Sequence, residues 1–361
     1  MKTRMVFIGG FLGAGKTTLA YHLARALNKQ DLAVSVVMND LGNVLVDTQF
    51  MKNAGMDARE VTGSCFCVRF DEFLKDARSL VGMRRQDVII AEPIGVSTSV
   101  LASVITPLRS QYDDEFSVAP LMVVIDSHNF LSEMASAGPD WAKTHLIFMQ
   151  QLREAEVLVL SKQDLLRPGE DAMVRKYAKE LAPDAEMIEF SARDLKNLGK
   201  LVEIVRSDRT TTREAPKVDP RTFAGEKAAL GWYSASMRIS TDGERLDIYD
   251  LMTSIMKGLS REFEPSAIAH IKVLISSPKA SAKMSLVQES MQVDGVKGGR
   301  FVSGEAELVL NARAVASPEK LRGGIEKVLD SELARSKVAV LHKETACFVP
   351  RAEIPKHVNI S

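Results

Sequence analysis

Short runs of apolar, mostly β-branched residues recur along the first 190 residues: MVFI (5–8), AVSVVM (33–38), DVIIA (87–91), LMVVID (121–126), VLVL (157–160) and MIEF (187–190). Segments of helical spacing lie between them. That alternation predicts an α/β fold, a mostly parallel sheet wrapped by helices, in which ligand sites lie at the strand ends. From Asp208 to Lys227 the chain turns polar, carries two prolines and loses its periodicity, so this stretch reads as a linker. Beyond it the pattern changes. WYSASMRI, IAHIKVLIS, KMSLVQE and EAELVLNAR read as strands, RLDIYDLMTSIMKGL has helical spacing, and SPEKLRGGIEKVLD opens on Ser317 as a plausible cap. A β-α-β-β-β-α order predicts a smaller α+β domain with an antiparallel sheet and helices on one face. The expected boundaries are 1–207, a linker at 208–227, a second domain at 228–345 and an extended tail at 346–361.

Bulk properties narrow the classes without naming one. A chain of 361 residues has room for two cored domains. Its 47 basic and 47 acidic side chains leave no net charge, which argues against a broad nucleic-acid-binding face. No apolar run approaches the roughly 18 residues that span a bilayer. The first strand begins almost at once, which predicts no signal peptide, no membrane partner and a cytoplasmic location. Three cysteines, two of them in CFC, do not make a secreted disulfide framework, so any special chemistry they have is thiolate or metal chemistry.

The most specific motif follows the first strand. GFLGAGKT, Gly10 to Thr17, fits G-x-x-x-x-G-K-[ST] between a strand and a helix, which is the context in which the motif works. Gly10, Gly13, Ala14 and Gly15 let backbone N–H groups turn inward around phosphate, and the helix N-terminus at Thr17 and Thr18 adds its positive end. Lys16 reaches the β- and γ-phosphates, and the Thr17 hydroxyl can ligate Mg²⁺. The base is read farther along. SKQD (161–164) at a strand end resembles the guanine-reading element [NS]-K-x-D, with Lys162 lying along the base plane and Asp164 accepting from the guanine N1 and N2 donors. Ser191-Ala192 after the last strand resembles the backbone element that meets guanine O6. In that order on three strand ends, these point to GTP rather than ATP.

Four segments together, GGFLGAGKTT (9–18), NDLGNVLVD (39–47), EVTGSCFCV (60–68) and AEPIG (91–95), resemble the CobW-type GTPases. This is the cobalamin-synthesis and nitrile-hydratase-activator group related to the urease and hydrogenase nickel accessory GTPases. The resemblance covers about the first 200 residues and implies a P-loop GTPase domain there. Gly95 matches the family's switch glycine, whose N–H meets the γ-phosphate. Asp40 matches its switch glutamate, and EVTGSCFCV resembles its Gly-Cys-x-Cys-Cys element, with Val68 where the third cysteine stands. By their own chemistry, Cys65 and Cys67 are two apart and can face a shared soft ion such as Zn²⁺ or Co²⁺, with Asp40 as a candidate oxygen donor. Two buried apolar residues, or a redox pair, are the alternatives. Glu92 ends a buried strand, where such sheets carry an acid that touches Mg²⁺ through water or orients the attacking water; a turn cap before Pro93 is its plain reading. Asp126 reads as structural, and the six histidines lack ligand spacing.

These features lead to an expected GTP-hydrolysing metallochaperone, slow because no arginine finger is identifiable. Its expected cofactors are GTP, Mg²⁺ and Zn²⁺ or Co²⁺, and its expected partner is a client metalloprotein, with a homo-oligomer left open. A GTP-dependent assembly or remodelling factor that carries no metal is the alternative. A small-molecule kinase is a third reading, disfavoured by the guanine elements.

Overall fold

The computed structural model describes residues 2–42, 46–83, 86–137 and 141–350. Asn43 to Leu45 of the NDLGNVLVD segment and residues 351–361 of the expected tail lie outside them. The described residues divide into two compact units: one holds those up to 41 and from 56 to 226, the other residues 42, 46–55 and 227–350.

In the first unit the predicted apolar runs become β1 (Thr3–Gly10), β2 (Val34–Asp40), β4 (Val88–Glu92), β6 (Met122–Asp126), β7 (Val157–Ser161) and β8 (Glu186–Glu189). Two strands escaped the apolar pattern, β3 (Asp57–Thr62) and the three-residue β5 (Phe116–Val118). The sheet order is β3-β2-β4-β1-β6-β7-β8, with β5 beside β1, and every pairing is parallel. β1, β4, β6 and β7 are buried along their whole length, as expected of strands covered by helices on both faces. β3 is an edge strand whose Arg59 and Glu60 are only half-buried, so its sequence lacks a continuous apolar run. Helix α1 (Lys16–Asn28) packs Leu19, Ala20, Leu23, Ala24 and Leu27 against the sheet. Because all strands run the same way, the loops after β1, β2, β4, β7 and β8 gather at one edge, where the motifs are.

The stretch read as a linker is bonded to the first unit over part of its length. Thr211 N–H donates to the Val118 carbonyl at 2.9 Å, and Glu226 accepts from the first N–H groups of the helix Leu146–Glu154, the Ile147 bond being 3.1 Å. Among the described residues no helix is long and apolar enough to cross a membrane.

The second unit is an antiparallel sheet of β9 (Leu230–Ser240), β11 (Ile268–Ser276), β12 (Ala280–Val287), β13 (Ser290–Gly298), β15 (Glu305–Val315) and β16 (Ala339–Phe348), with a small ribbon of β10 (Leu246–Asp247) and β14 (Phe301–Val302). The order is β13-β12-β11-β15-β9-β16. The helices Ile248–Glu262 and Pro318–Arg335 contribute to one apolar core with the sheet, including Met252, Ile255, Leu259, Ile325 and Leu329. The Ser317 side chain accepts from the Lys320 N–H, so the predicted cap is present. β13 and β16 are the two edges; β13 has no apolar run, and the run VAVL (338–341) that opens β16 leaves Val340 and Leu341 exposed. Cys347 pairs with Tyr233 across β16 and β9, so the extended stretch from 346 begins inside the sheet.

Helix α2 (Val46–Asn53), a piece of the segment after β2, belongs to this second unit and packs on β11, β12 and β15. It lies on side chains that alternate with the apolar core: Lys272 between Ile271 and Val273, Lys283 between Ala282 and Met284, Asn311 between Leu310 and Ala312. Val46 N–H donates to Asn311 Oδ1 at 2.9 Å, and Asn53 reaches Ser281 at 3.2 Å. The Phe50 ring lies against Gly295, where a Cβ would collide with it. Asp47, in the first turn of α2, takes Lys283 at 2.8 Å and Lys272 on its other oxygen, and Lys283 is 2% exposed. Burial by itself would raise the Asp47 pKa. The charges and hydrogen bonds of Lys272 and Lys283 outweigh it and hold the carboxyl far below the usual carboxylate range.

Removing one partner of such a buried cluster leaves uncompensated charge, so Asp47→Ala should cost about 3–5 kcal/mol in denaturant unfolding. Because the folded carboxyl ionises below its unfolded value near 4, its stabilisation is complete above about pH 4 and is lost as the pH falls. The variant should lack that acid-side component. Equal acid sensitivity in the two proteins would show that Asp47 is not held by the lysines.

Candidate nucleotide site and thiol loop

Gly10 ends β1, and the loop to Gly15 turns there. Gly13 has φ 77° and Gly15 φ 100°, backbone states that side chains rarely adopt. Gly15 stands at the N-cap of α1 without a side-chain cap, so the first N–H groups of the helix face the loop. Ala14 N–H donates to Phe11 O at 3.3 Å, and the half-buried Thr18 follows in α1. Lys16 folds back onto its own loop, its Nζ 3.1 Å from Phe11 O and 4.0 Å from Glu92 Oε1. Thr17 Oγ1 donates to Glu92 Oε1 at 3.0 Å. A hydroxyl and a carboxylate are the hard oxygen donors that suit Mg²⁺. Gly95 follows in the next loop, where a Cβ would stand 2.9 Å from Leu12 N, so only glycine lets this loop close on the phosphate loop.

Two strands away, Ser161 Oγ lies 2.7 Å from Ala14 O and 2.8 Å from Ile125 O, bracing the phosphate loop against the end of β7. Lys162 adopts φ 56°, and its ammonium pairs with Asp126 at 2.6 Å, which gives Asp126 a defined partner. Asp164 lies in a single 3₁₀ turn and is exposed. Gln163 N–H donates to Phe190 O at 3.3 Å, which brings SKQD beside Ser191 and Ala192. Ser191 is buried and its Oγ accepts from Arg193 N–H at 3.3 Å, while Ala192 is half-exposed.

The thiol loop hangs from the end of β2. Asn39 Nδ2 donates to the carbonyls of Val61 (2.9 Å) and Ser64 (2.7 Å), and its Oδ1 accepts from Phe66 N–H (2.8 Å). The sulfurs of Cys65 and Cys67 lie 3.4 and 3.1 Å from the hydroxyl of Ser97, two residues beyond Gly95. The structure therefore brings the two cysteines to one point. Asp40 ends β2 opposite Thr62, its carbonyl accepting from Gly63 N–H at 3.2 Å. Among the described residues no group of three or more His, Cys, Asp and Glu side chains could hold a metal ion, so Asp40 does not join the thiols in this conformation.

The family model described as CobW/HypB/UreG, nucleotide-binding domain matches residues 4–189, more than half of the chain. The chain belongs to the CobW/HypB/UreG family. Zinc chaperone YeiR of Escherichia coli is 24% identical over 189 residues, 52% of this chain and 54% of its own. Zinc chaperone CobW of Pseudomonas aeruginosa is 28% identical over 224 residues, 54% of this chain and 58% of its own. The chain thus spans about half the length of the curated relatives it matches. Zn(II)-bound YjiA GTPase from E. coli superposes with a TM-score of 0.39 and 16% identity, over 93% of this chain and 99% of that one.

In this CobW/HypB/UreG-family chain three polar residues that the sequence did not single out line the loop after β4. Gln151 Nε2 donates to Gly95 O (2.9 Å) and Ser97 O (3.0 Å), and Glu154, 2% exposed, accepts from Gln150 at 3.4 Å and from the backbone N–H groups of Leu101 and Val100. The signal available was Gln150, Gln151 and Glu154 among the apolar positions of the helix Leu146–Glu154, but nothing local shows that Gln151 and Glu154 face a loop about 50 residues earlier. Hydrogen bonding with Cys65, burial and the charge of Cys65 push the Cys67 thiol up, and the Ser97 hydroxyl pulls the other way. Burial pushes Glu154 up to about 7, against the hydrogen bonds from Gln150, Leu101 and Val100, and the charge of Cys65 adds to the rise.

Glu154 makes stability depend on pH with a definite sign. Between about 4.5 and 7 the folded protein keeps a proton that the unfolded chain releases, so stability falls as the pH rises through that window and stays lower above it. Glu154→Gln should remove this component, gaining on the wild type at pH 8 relative to pH 5 in thermal melts. The same difference at both pH values would refute the assignment.

Proposed function

We propose that the protein is a slow, Mg²⁺-dependent GTPase that uses the nucleotide to control a transition metal held by Cys65 and Cys67, and passes that metal to a client metalloprotein. The observation that carries the reading is Asn39. From the end of β2 it holds the thiol loop at the edge where Thr17, Glu92 and Gly95 converge. The family assignment and relatives named zinc chaperones support the choice of cargo, with Zn²⁺ or Co²⁺ suited to thiolates.

Each residue then has a stated task. Backbone N–H groups from Gly13 to Lys16 hold the phosphates, and Lys16 leaves Phe11 O for the β- and γ-oxygens. Thr17 and Glu92 hold Mg²⁺, the ion that neutralises charge developing on the phosphates, with Glu92 acting through water. Gly95 offers its N–H to the γ-phosphate, Asp164 and Lys162 take guanine, and Ser191-Ala192 meets its O6. The metal is cargo. The second reading, a GTP-dependent remodelling factor that carries no metal, is favoured by Val68 in place of a third cysteine.

Asp164→Asn replaces one acceptor of the guanine N1 and N2 donors by an amide. It should reduce the preference for GTP over ITP and ATP by about 10- to 100-fold in competition binding while phosphate contacts persist; an unchanged preference refutes the base assignment. For the cargo, equilibrium Zn²⁺ titration with and without a non-hydrolysable GTP analogue should show tighter metal binding with the analogue, toward the low end of the roughly 5- to 150-fold typical of coupled sites. Replacing both Cys65 and Cys67 by serine should abolish that difference and leave the nucleotide affinity in place. Wild-type protein that binds metal equally in both states sinks the delivery reading in favour of the remodelling factor.

A further inference from the structure

Ser97 is 4% exposed, and its hydroxyl is within hydrogen-bonding reach of both sulfurs, 3.4 Å from Cys65 and 3.1 Å from Cys67. A hydroxyl has one proton to give and lone pairs to accept with, so it can donate to one sulfur while the other thiol donates to it. It therefore marks the point that the two sulfurs share. The same residue is built into the nucleotide-sensing loop. Its N–H closes a turn on Ile94 O at 2.9 Å, spanning Gly95, and Gln151 ties the Gly95 and Ser97 carbonyls together through one amide nitrogen, at 2.9 and 3.0 Å. Gly95 in turn is packed on the Leu12 backbone of the phosphate loop so closely that a side chain would not fit.

We infer that Ser97 is the positioning residue through which the nucleotide loop controls the thiol pair, its hydroxyl occupying the point toward which both sulfurs converge. The inference rests on the delivery reading for the identity of what the thiols bind. The geometry supplies the direction of transmission. On the β2 side the thiol loop is fixed by three Asn39 hydrogen bonds to a strand end. On the β4 side its contact is a short turn, tied twice to one glutamine, that moves as a piece when Gly95 shifts. A γ-phosphate that draws the Gly95 N–H toward itself must carry Ser97 with it, because residues 94–97 are closed by a hydrogen bond. The hydroxyl then changes its place against the sulfurs, and the thiols become available to a shared ion at the zinc–thiolate distance of about 2.3 Å. Outer-shell partners of this sort typically tune metal affinity by about 10- to 100-fold, enough for one hydroxyl to account for the low end of an allosteric factor.

The test uses the full chain, Co²⁺ as the probe and its sulfur-to-metal charge-transfer band as the readout, with and without a non-hydrolysable GTP analogue. Wild type should bind Co²⁺ at least about 5-fold more tightly with the analogue. Ser97→Ala should bring that ratio to near one while the metal-free protein binds the analogue as before, a split that a general loss of packing would not produce. Ser97→Cys, which sets a third sulfur at the shared point, should strengthen both the band and the Co²⁺ affinity. A Ser97→Ala protein with the wild-type ratio overturns the inference and leaves the delivery reading standing. So does a Ser97→Cys protein with an unchanged band. A wild-type ratio of one removes the delivery reading, and this inference goes with it.

Discussion

A triphosphate carries several negative charges into a small volume, and a turn of backbone N–H groups at the end of a strand is one way to meet them. That turn, from Gly10 to Thr17, constrains what surrounds it. It needs positive φ at Gly13 and Gly15, so the loop is rigid only if something braces it from outside. Ser161 provides one brace through Ala14 O, and Leu12 provides another by touching Gly95. The loops that carry Ser161 and Gly95 are thus in contact with the turn from Gly10 to Thr17. Parallel strands deliver them all to one edge.

The thiols join this arrangement as a second layer. They are buried at 8% and 3% exposure, and the groups facing them are Ser97 and, by its charge, Glu154. Hydrogen bonding with Cys65, burial and the charge of Cys65 push the Cys67 thiol up, so on the delivery reading metal capture at Cys67 would be coupled to release of its proton. Asn39 holds the loop from the end of β2, and Ser97 meets it from the loop after β4.

What the sequence revealed divides along the range of the interactions. The placement of GFLGAGKT, Glu92, SKQD and Ser191-Ala192 at the strand ends is legible because each is a local pattern beside an apolar run. The strands β1, β2, β4, β6 and β7 are legible because burial on both faces forces continuous apolar runs, and the edge strand β8, where only Ile188 is buried, is legible from its short MIEF run alone. β3 is an edge with half-buried polar positions and β13 carries Gly295 and Gly298, so neither announces itself by pattern, while β16 opens on a run, VAVL, whose Val340 and Leu341 stay exposed at the sheet edge. Ser97, Gln151 and Glu154 were invisible as a group because their partners are set by tertiary packing. Asp47 closes the NDLGNVLVD segment, but its two lysines stand 225 and 236 residues downstream, beyond the reach of any local rule.

The placement of α2 also bears on how the chain is made. Its sheet is synthesised long after it: Lys272 follows Asp47 by 225 residues, which at about 5–20 residues per second is a wait of roughly 10–45 s on the ribosome. An eight-residue helix is too short to persist alone in water. During that interval the piece of chain between β2 and β3 has no sheet to lie on, while the strands flanking it can already pair. The first unit must therefore be able to close around an unfinished excursion of its own backbone, and the second unit, last to emerge, completes its open face with a strand-to-strand segment made near the beginning.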